Sequence, residues 1–180
     1  MALTFSLFDT ALGWCGLAAA DGRIHGALLP EPSPDRVRAY FHKRHPEAVE
    51  AEPEPWLEPA IVRVRGLIDG ADDDLCDLDL DMSGVSPFER GVYEIARAIP
   101  PGQTTTYGDI ARRIGEVTDS QAVGRALGRN PFAPIVPCHR IVAAGQKLGG
   151  FSATGGRALK LKLLEIERRW AKDDLFGRGP

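Results

Sequence analysis

The stretch Ile135-Val136-Pro137-Cys138-His139-Arg140-Ile141-Val142 constrains this chain most. An apolar run enters it, a Cys-His-Arg triplet sits at its centre, and an Ile-Val pair leaves it. Proline locks φ and has no N–H, so the residues around Pro137 are expected to stay out of regular helix and to hold Cys138 on a rigid, buried turn. A thiol attacks only as thiolate, and a free cysteine has a pKa of about 8.5. The neighbouring His139 and Arg140 are expected to favour the ionised form. The competing reading is packing, because an unpaired cysteine is most often a small buried hydrophobe. Both readings stand until the rest of the chain is considered.

Composition narrows the classes. A length of 180 residues suits one ordinary domain or two small ones. No run approaches the ~18 apolar residues of a membrane span, and Met1-Ala2-Leu3-Thr4-Phe5 lacks the features of a signal peptide. Cys15, Cys76 and Cys138 have no spacing that suggests a disulfide framework or a zinc ribbon. A reducing, cytoplasmic setting is expected. The net charge of −3 hides an asymmetry: residues 1–85 carry 7 Lys+Arg against 16 Asp+Glu, and residues 86–180 carry 15 against 9. Such a contrast points to a polyanion-binding domain behind an acidic one, although two solvated surfaces of unlike composition give the same count.

In chain order, residues 3–8, 14–20 and 23–29 read as short strands, with Asp21-Gly22 as a hairpin pair. Ser33-Pro34 opens a helix that has Val37, Tyr40 and Phe41 on one face. Residues 45–55 read as an acidic loop, and a second helix covers Leu57 to Ile68 before Asp69-Gly70 ends it. The acidic run from Asp72 to Asp81 lacks the sixth-position glycine and closing glutamate of a calcium loop, so it reads as solvated. His25, His42 and His45 have no metal-ligand spacing and are expected on the surface; no metal site is expected.

At Ser86 the pattern changes. Ser86-Pro87-Phe88-Glu89 is a capping box with proline at the first helical position, and Phe88, Val92, Ile95 and Ile99 repeat at helical spacing until Pro100-Pro101-Gly102. This sets an expected domain boundary, 1–85 and 86–180. Thr104 to Thr106 reads as a wing or loop. Helices follow from Tyr107 to Ile114 and from Asp119 to Gly128, joined by Gly115-Glu116-Val117-Thr118, which fits a helix-turn-helix. Ser120, Ala122, Gly124, Ala126 and Gly128 keep the second helix slim, for a DNA groove or for tight helix packing alike. Arg112, Arg113, Arg125 and Arg129 add weight to the first use. His139 to Val142 is expected to form a short strand. A last helix runs from about Arg157 to Trp170, where Glu165 and Glu167 oppose the macrodipole and suggest a partner.

Taken together, Ser86-Pro87-Phe88, Ile99-Pro100-Pro101-Gly102, Thr106-Tyr107-Gly108-Asp109-Ile110-Ala111, Gln121-Ala122-Val123-Gly124, Asn130-Pro131, Pro137-Cys138-His139-Arg140-Ile141-Val142, Gly155-Gly156 and Lys160…Leu163-Leu164…Glu167 resemble the alkylguanine-DNA alkyltransferases, or methylated-DNA–protein-cysteine methyltransferases. The resemblance is close over residues 86–170 and looser before. It implies an α+β fold: a small N-terminal α/β domain with an antiparallel sheet, then a helical domain containing a winged helix-turn-helix. It implies repair of DNA by irreversible, single-turnover transfer of an alkyl group from guanine O6, with thymine O4 as a further position, to Cys138.

Roles follow by position. His139 matches the residue that draws the thiol proton through a water, and Glu167 the acid that orients it. Asn130 matches the hinge asparagine, and Tyr107 the tyrosine that rotates the target phosphate and contacts the flipped base. The carbonyls of Cys138 and Ile141 and the N–H of Ser152 would read the guanine, beside Phe151. Ser120, Gln121, Ala122, Gly124, Arg125 and Arg129 would face double-stranded DNA. The resemblance implies a monomer that needs no cofactor and no membrane. Three departures stand out: Gln121 replaces the usual intercalating arginine, Ala153-Thr154 lengthens the pocket loop, and Ala133 replaces a frequent proline. Weakened flipping would instead leave a non-catalytic lesion binder, although the alkyltransferase-like proteins of that kind lack the cysteine. A purely structural reading makes Cys138-His139 buried core.

Overall fold

Alternating apolar residues separated by turn pairs form three antiparallel strands in the computed structural model: β1 (Thr4–Thr10), β2 (Gly13–Ala20) and β3 (Arg23–Glu31). The structure describes residues 2–115 and 119–173, the side chains of 169–173 excepted. Asp21 and Gly22 both adopt positive φ (50° and 77°), the backbone that a two-residue type I′ hairpin demands. Side chains alternate across β2: Cys15, Leu17 and Ala19 enter the larger core, and Ala18 the smaller one with Phe5. Helix α1 (Pro34–Arg44) covers the smaller core with Val37 and Phe41. Helix α2 (Glu58–Asp69) covers the larger core with Ile61, Val64 and Ile68.

Two acidic segments differ from the sequence expectation. The 45–55 segment is not all loop: β4 (Val49–Glu50) adds parallel to β1, with Val49 N donating to Leu3 O at 3.2 Å and Ala51 N to Phe5 O at 3.0 Å. The sheet is therefore mixed, in the order β3-β2-β1-β4, and not purely antiparallel. Both β4 side chains are exposed, so no alternation announced the strand; the open backbone edge of β1 made it. The second segment, Asp72 to Asp81, is not free in solvent. Asp73 and Asp77 grip Arg63 (2.7 Å each), and the backbone of Asp79 and Asp81 brackets Ile24 on the β3 edge. Covering that edge removes unpaired strand groups from solvent. His25 contacts Asp81 at 3.0 Å and His45 has a buried Nε2. Of the three histidines expected on the surface, only His42 is exposed.

In the second half, α3 (Pro87–Arg97), α4 (Tyr107–Ile114) and α5 (Ser120–Gly128) pack on one another. Complete capping boxes start two of them, Ser86 with Glu89 and Thr106 with Asp109. Asp119 caps α5 by accepting from Ala122 N at 2.7 Å. Residues 116–118, most of the expected helix-turn-helix joint, lie outside the described residues. The expected wing or loop contributes β5 (Thr105–Thr106), which pairs in parallel with β6 (Ile141–Val142). The strand expected over His139 to Val142 is only β6. Cys138–Arg140 is a single 3-10 turn, because Arg140 N donates to Pro137 O and Ile141 N to Cys138 O. Those bonds, with Cys138 N donating to Val136 O at 2.8 Å, turn the triplet's backbone on itself instead of into a ladder. Helix α6 (Gly156–Asp173) closes the α+β fold, burying Leu159, Leu163 and Leu164.

Candidate active site and nucleic-acid interface

Residues 131–142 are buried throughout, so every polar group there needs a partner inside the protein. Asn130 supplies two: Nδ2 donates to Val136 O (2.8 Å) and Oδ1 accepts from Phe132 N (2.9 Å). One amide thus pins the approach to Cys138 from inside its own turn. The opposite flank is held from afar, since Ala27 N on β3 donates to Pro131 O at 2.8 Å. Cys138 as a residue is 9% exposed. Burial pushes it up to about 11, against the opposing pull of the Asn130 hydrogen bond and the Lys160 charge. The cationic neighbours do not ionise it as expected. His139 and Arg140 both bond to Glu167, and neither of their charges is among the influences that lower the thiol.

Those two residues share one carboxylate. His139 Nε2 lies 2.7 Å from Glu167 Oε1, Arg140 Nη2 lies 2.9 Å from the same oxygen, and Arg140 Nη1 donates to Ile99 O at 2.6 Å. All three side chains are buried. Burial alone would raise the Glu167 acid; the charge and hydrogen bond of His139, joined by Arg140, overcome it and hold it at about 2. The carboxylate fixes the imidazole proton on Nε2, which leaves Nδ1 as the free base position. That atom is buried and has no protein partner among the described residues. A base oriented by a buried acid beside a protonated thiol is the arrangement of nucleophilic catalysis.

In front of the thiol lies a cavity of about 580 Å3. Its wall includes Tyr107, Ser120, Gln121, Gly124, Phe151 and Ser152 with Cys138, so seven of the expected site residues meet there. The β5–β6 ladder explains the meeting: it joins the residue before Tyr107 to the strand that follows the Cys138 turn. The Tyr107 ring lies over Gly124, 3.9 Å from where a Cβ would stand. Burial first, and Cys138 second, raise its phenol above the usual value, so it carries its proton at neutral pH. Ile141 stands behind the cavity, and its carbonyl already accepts from Lys160 Nζ at 2.6 Å. A carbonyl has two lone pairs, so one remains. Local sequence reading passed over Lys160. It is fully buried, sits over the Tyr107 and Phe151 rings (5.8 and 5.6 Å), and is depressed to about 8 by burial. Its sequence signal was its place in the Lys160…Leu163-Leu164…Glu167 block that carries the family resemblance.

The basic residues of the second half are less available than their count implied. Arg125 pairs with Asp119 (3.5 Å), Arg129 with Glu89 (2.8 Å), and Arg112 with Asp109. Ala122 is half-buried, while Gln121, Arg125 and Arg129 are exposed. Among the described residues, no cluster of His, Cys, Asp and Glu could hold a metal ion, and no helix is long and apolar enough to cross a membrane.

The family described as 6-O-methylguanine DNA methyltransferase, DNA binding domain, matches residues 87–169. A methylated-DNA–protein-cysteine methyltransferase of Mycolicibacterium paratuberculosis is 46% identical over 93 residues, 52% of this chain and 54% of that protein. The chain spans about half the length of such curated methyltransferases. A DNA base-flipping protein of Thermus thermophilus is 38% identical over 146 residues, 79% of this chain and 93% of that protein. Among solved structures, Mycobacterium tuberculosis OGT in complex with DNA superposes with a TM-score of 0.74 at 30% identity, covering 92% of this chain and 93% of that one. An O6-methylguanine-DNA methyltransferase from Pyrococcus kodakaraensis gives 0.68 at 30% identity, covering 91% and 98%. Matched along nearly the whole length of both solved chains, with Cys138, His139 and Glu167 assembled behind one cavity, the chain belongs to the methylated-DNA–protein-cysteine methyltransferase family.

Proposed function

We propose that this protein repairs DNA by moving an alkyl group from guanine O6, and from thymine O4 as a second substrate, to Cys138 in a single turnover. The observation that carries the reading is Cys138 at the wall of the Tyr107–Gln121–Ser152 cavity with the His139–Glu167 pair buried behind it. The base must leave the stack, because a buried thiol cannot reach O6 inside a duplex. Helix α5 faces the groove through Ser120, Gln121, Ala122 and Gly124, Arg125 and Arg129 bind phosphate, and Gln121 fills the hole. The flipped guanine then lies between Tyr107 and Phe151, read by the carbonyls of Cys138 and Ile141 and by the Ser152 N–H.

His139 Nδ1 accepts the thiol proton through a water, with Glu167 stabilising the imidazolium. The sulfur attacks the alkyl carbon, the S–C bond forms, the C–O6 bond breaks, and its electron pair stays on guanine. Tyr107 or a bound donor protonates the leaving base, and the proton taken up by His139 replaces the one the donor gave. Asn130 holds the turn between α5 and the thiol. The thioether does not hydrolyse, so each chain acts once, without metal or organic cofactor. Residues 86–180 form the DNA-binding and acceptor unit, and residues 1–85 the supporting one. A monomer in a reducing cytoplasm suits a nucleophile that must stay unoxidised.

The similarity to a base-flipping protein over 146 residues, together with Gln121, supports a second reading, a lesion binder that transfers nothing. Intact mass after mixing with an O6-methylguanine duplex decides between them. Transfer adds one methyl group in place of one hydrogen, and the Cys138→Ser variant stays unmodified while still binding DNA. An unmodified wild-type chain would leave the binder. A methyl group on the Ser variant, at Cys15 or Cys76, would remove Cys138 from its role.

A further inference from the structure

The Tyr107 ring is flanked at both edges. Its Cδ1–Cε1 edge lies over Gly124 of α5, and its Cε2–Oη edge faces Gly149, 3.3 and 3.5 Å from where a Cβ there would stand. Gly149 follows a tight turn that leaves β6. Ala143 N closes this turn by donating to Lys147 O at 2.8 Å, and Gly145 and Gln146 at its tip take left-handed backbone, with φ of 70° and 59°. The Thr104 hydroxyl donates to Gln146 Oε1 at 3.4 Å, which ties the tip to the chain entering β5. Residues 144–147 are exposed. Helix α5 and this turn therefore stand at opposite edges of one aromatic ring.

The two sides differ in available charge. On the α5 side, Arg125 and Arg129 are held by Asp119 and Glu89, and Gln121 is neutral. A phosphate arriving there must first displace a carboxylate. On the turn, the Lys147 side chain has no ion pair and no hydrogen bond among the described residues. A free ammonium that meets a phosphate gives up only water, and the counterions released from the DNA favour the complex. Lysine also acts as a point charge on a flexible stem, so it needs no bidentate geometry.

The geometry points to the turn at residues 143–147 as a second DNA-binding element, in which Lys147 pairs with a backbone phosphate of the strand that carries the flipped base. The inference rests on the proposed repair of DNA and deepens its contact with the duplex: α5 holds one side of Tyr107 and Lys147 the other. Phosphate contacts position a duplex without reading its sequence. Lys147 thus sets affinity and register in any sequence context and takes no part in the chemistry at Cys138.

The test measures affinity for an O6-methylguanine duplex across a range of salt, on Cys138→Ser chains in which no transfer consumes the complex. Lys147→Gln is compared with Lys162→Gln, an exposed lysine that lines a separate groove with Ala11 and Pro32. Lys147→Gln should bind severalfold more weakly, with a log–log salt slope shallower by about 0.9, one phosphate contact. Lys162→Gln should match the parent. With Cys138 present, Lys147→Gln should leave transfer from free O6-methylguanine base unchanged. A parent slope retained by Lys147→Gln, equal losses in the two lysine variants, or a slower reaction with free base would each overturn the inference and leave the repair reading intact. A parent chain that does not bind the duplex would overturn both.

Discussion

At the scale of single residues, chemistry here depends on which way a side chain faces more than on its place in the sequence. Cys138 has two cationic neighbours, yet both turn to Glu167, and the thiol stays protonated near neutrality because it is buried. In the proposed transfer, proton removal is therefore part of the reaction rather than a standing condition. Gln121 is the other residue on which that proposal turns. An extruded base leaves the flipped state uphill by a few kcal/mol unless something replaces its stacking and pairing. Arginine would supply a plane, several donors and a charge near phosphate; glutamine supplies only the plane and the amide. Gln121→Arg is expected to accelerate transfer from duplex DNA severalfold and to leave transfer from free O6-alkylguanine base unchanged. Single-turnover rates on both substrates check this, and equal acceleration on both would move Gln121 from the duplex to the pocket.

Among elements, the short ones position the site. Thr106 begins α4 and also ends β5, so one residue joins the capping box to the ladder with β6. Its hydroxyl accepts from Asp109 N at 3.1 Å, and its amide donates to the Asp109 carboxylate at 3.2 Å. Removing that hydroxyl with Thr106→Ala is expected to cost about 1 kcal/mol, the usual value for a lost N-cap. Tyr107 follows directly, so the same variant should slow transfer more than its loss of stability explains. Denaturant unfolding set against transfer rate on the folded fraction separates the two effects. A rate unchanged at equal folded fraction would mean that Tyr107 is held by Gly124, Lys160 and its hydroxyl bond to Gly150 O rather than by the cap.

For the whole molecule, the terminal helix and the active-site turn are joined through Glu167. Its folded pKa of about 2 lies below the ordinary value of 4.5. The stability it supplies is therefore complete above about pH 4.5 and drains away as pH falls towards 2. Glu167→Gln leaves Arg140 buried with its charge uncompensated, which is expected to cost about 3–5 kcal/mol at neutral pH. The variant should also lose the part of acid unfolding that falls in that window. Thermal melts from pH 7 to 2 on both proteins would show it, and parallel curves would assign the acid sensitivity elsewhere. Under the proposed function, charge pairing also sets DNA affinity at this scale. Asp119→Asn keeps a competent N-cap while releasing Arg125 from its carboxylate. Tighter binding is expected, with a log–log salt slope steeper by up to about 0.9 if the freed guanidinium takes one phosphate. Titrations at several salt concentrations would reveal an unchanged slope if Arg125 stays off the DNA.

The sequence by itself determined the features built from neighbouring residues. The Asp21-Gly22 hairpin, the Ser86 capping box and the helix from Tyr107 to Ile114 each rest on hydrogen bonds or φ restrictions within four residues. Their residue types announce them. Tertiary structure alone decided what depends on distant partners. Val49 and Glu50 became a strand because β1 had an open edge, not because of their side chains. The acidic run at 72–81 found Arg63, Arg23 and the β3 edge. Lys160 was buried against the Ile141 carbonyl nineteen positions away, and Cys138 was set at the wall of the cavity that Tyr107, Gln121 and Ser152 line. None of these leaves a periodic trace, since a partner reached through space contributes the same free energy whatever residues lie between.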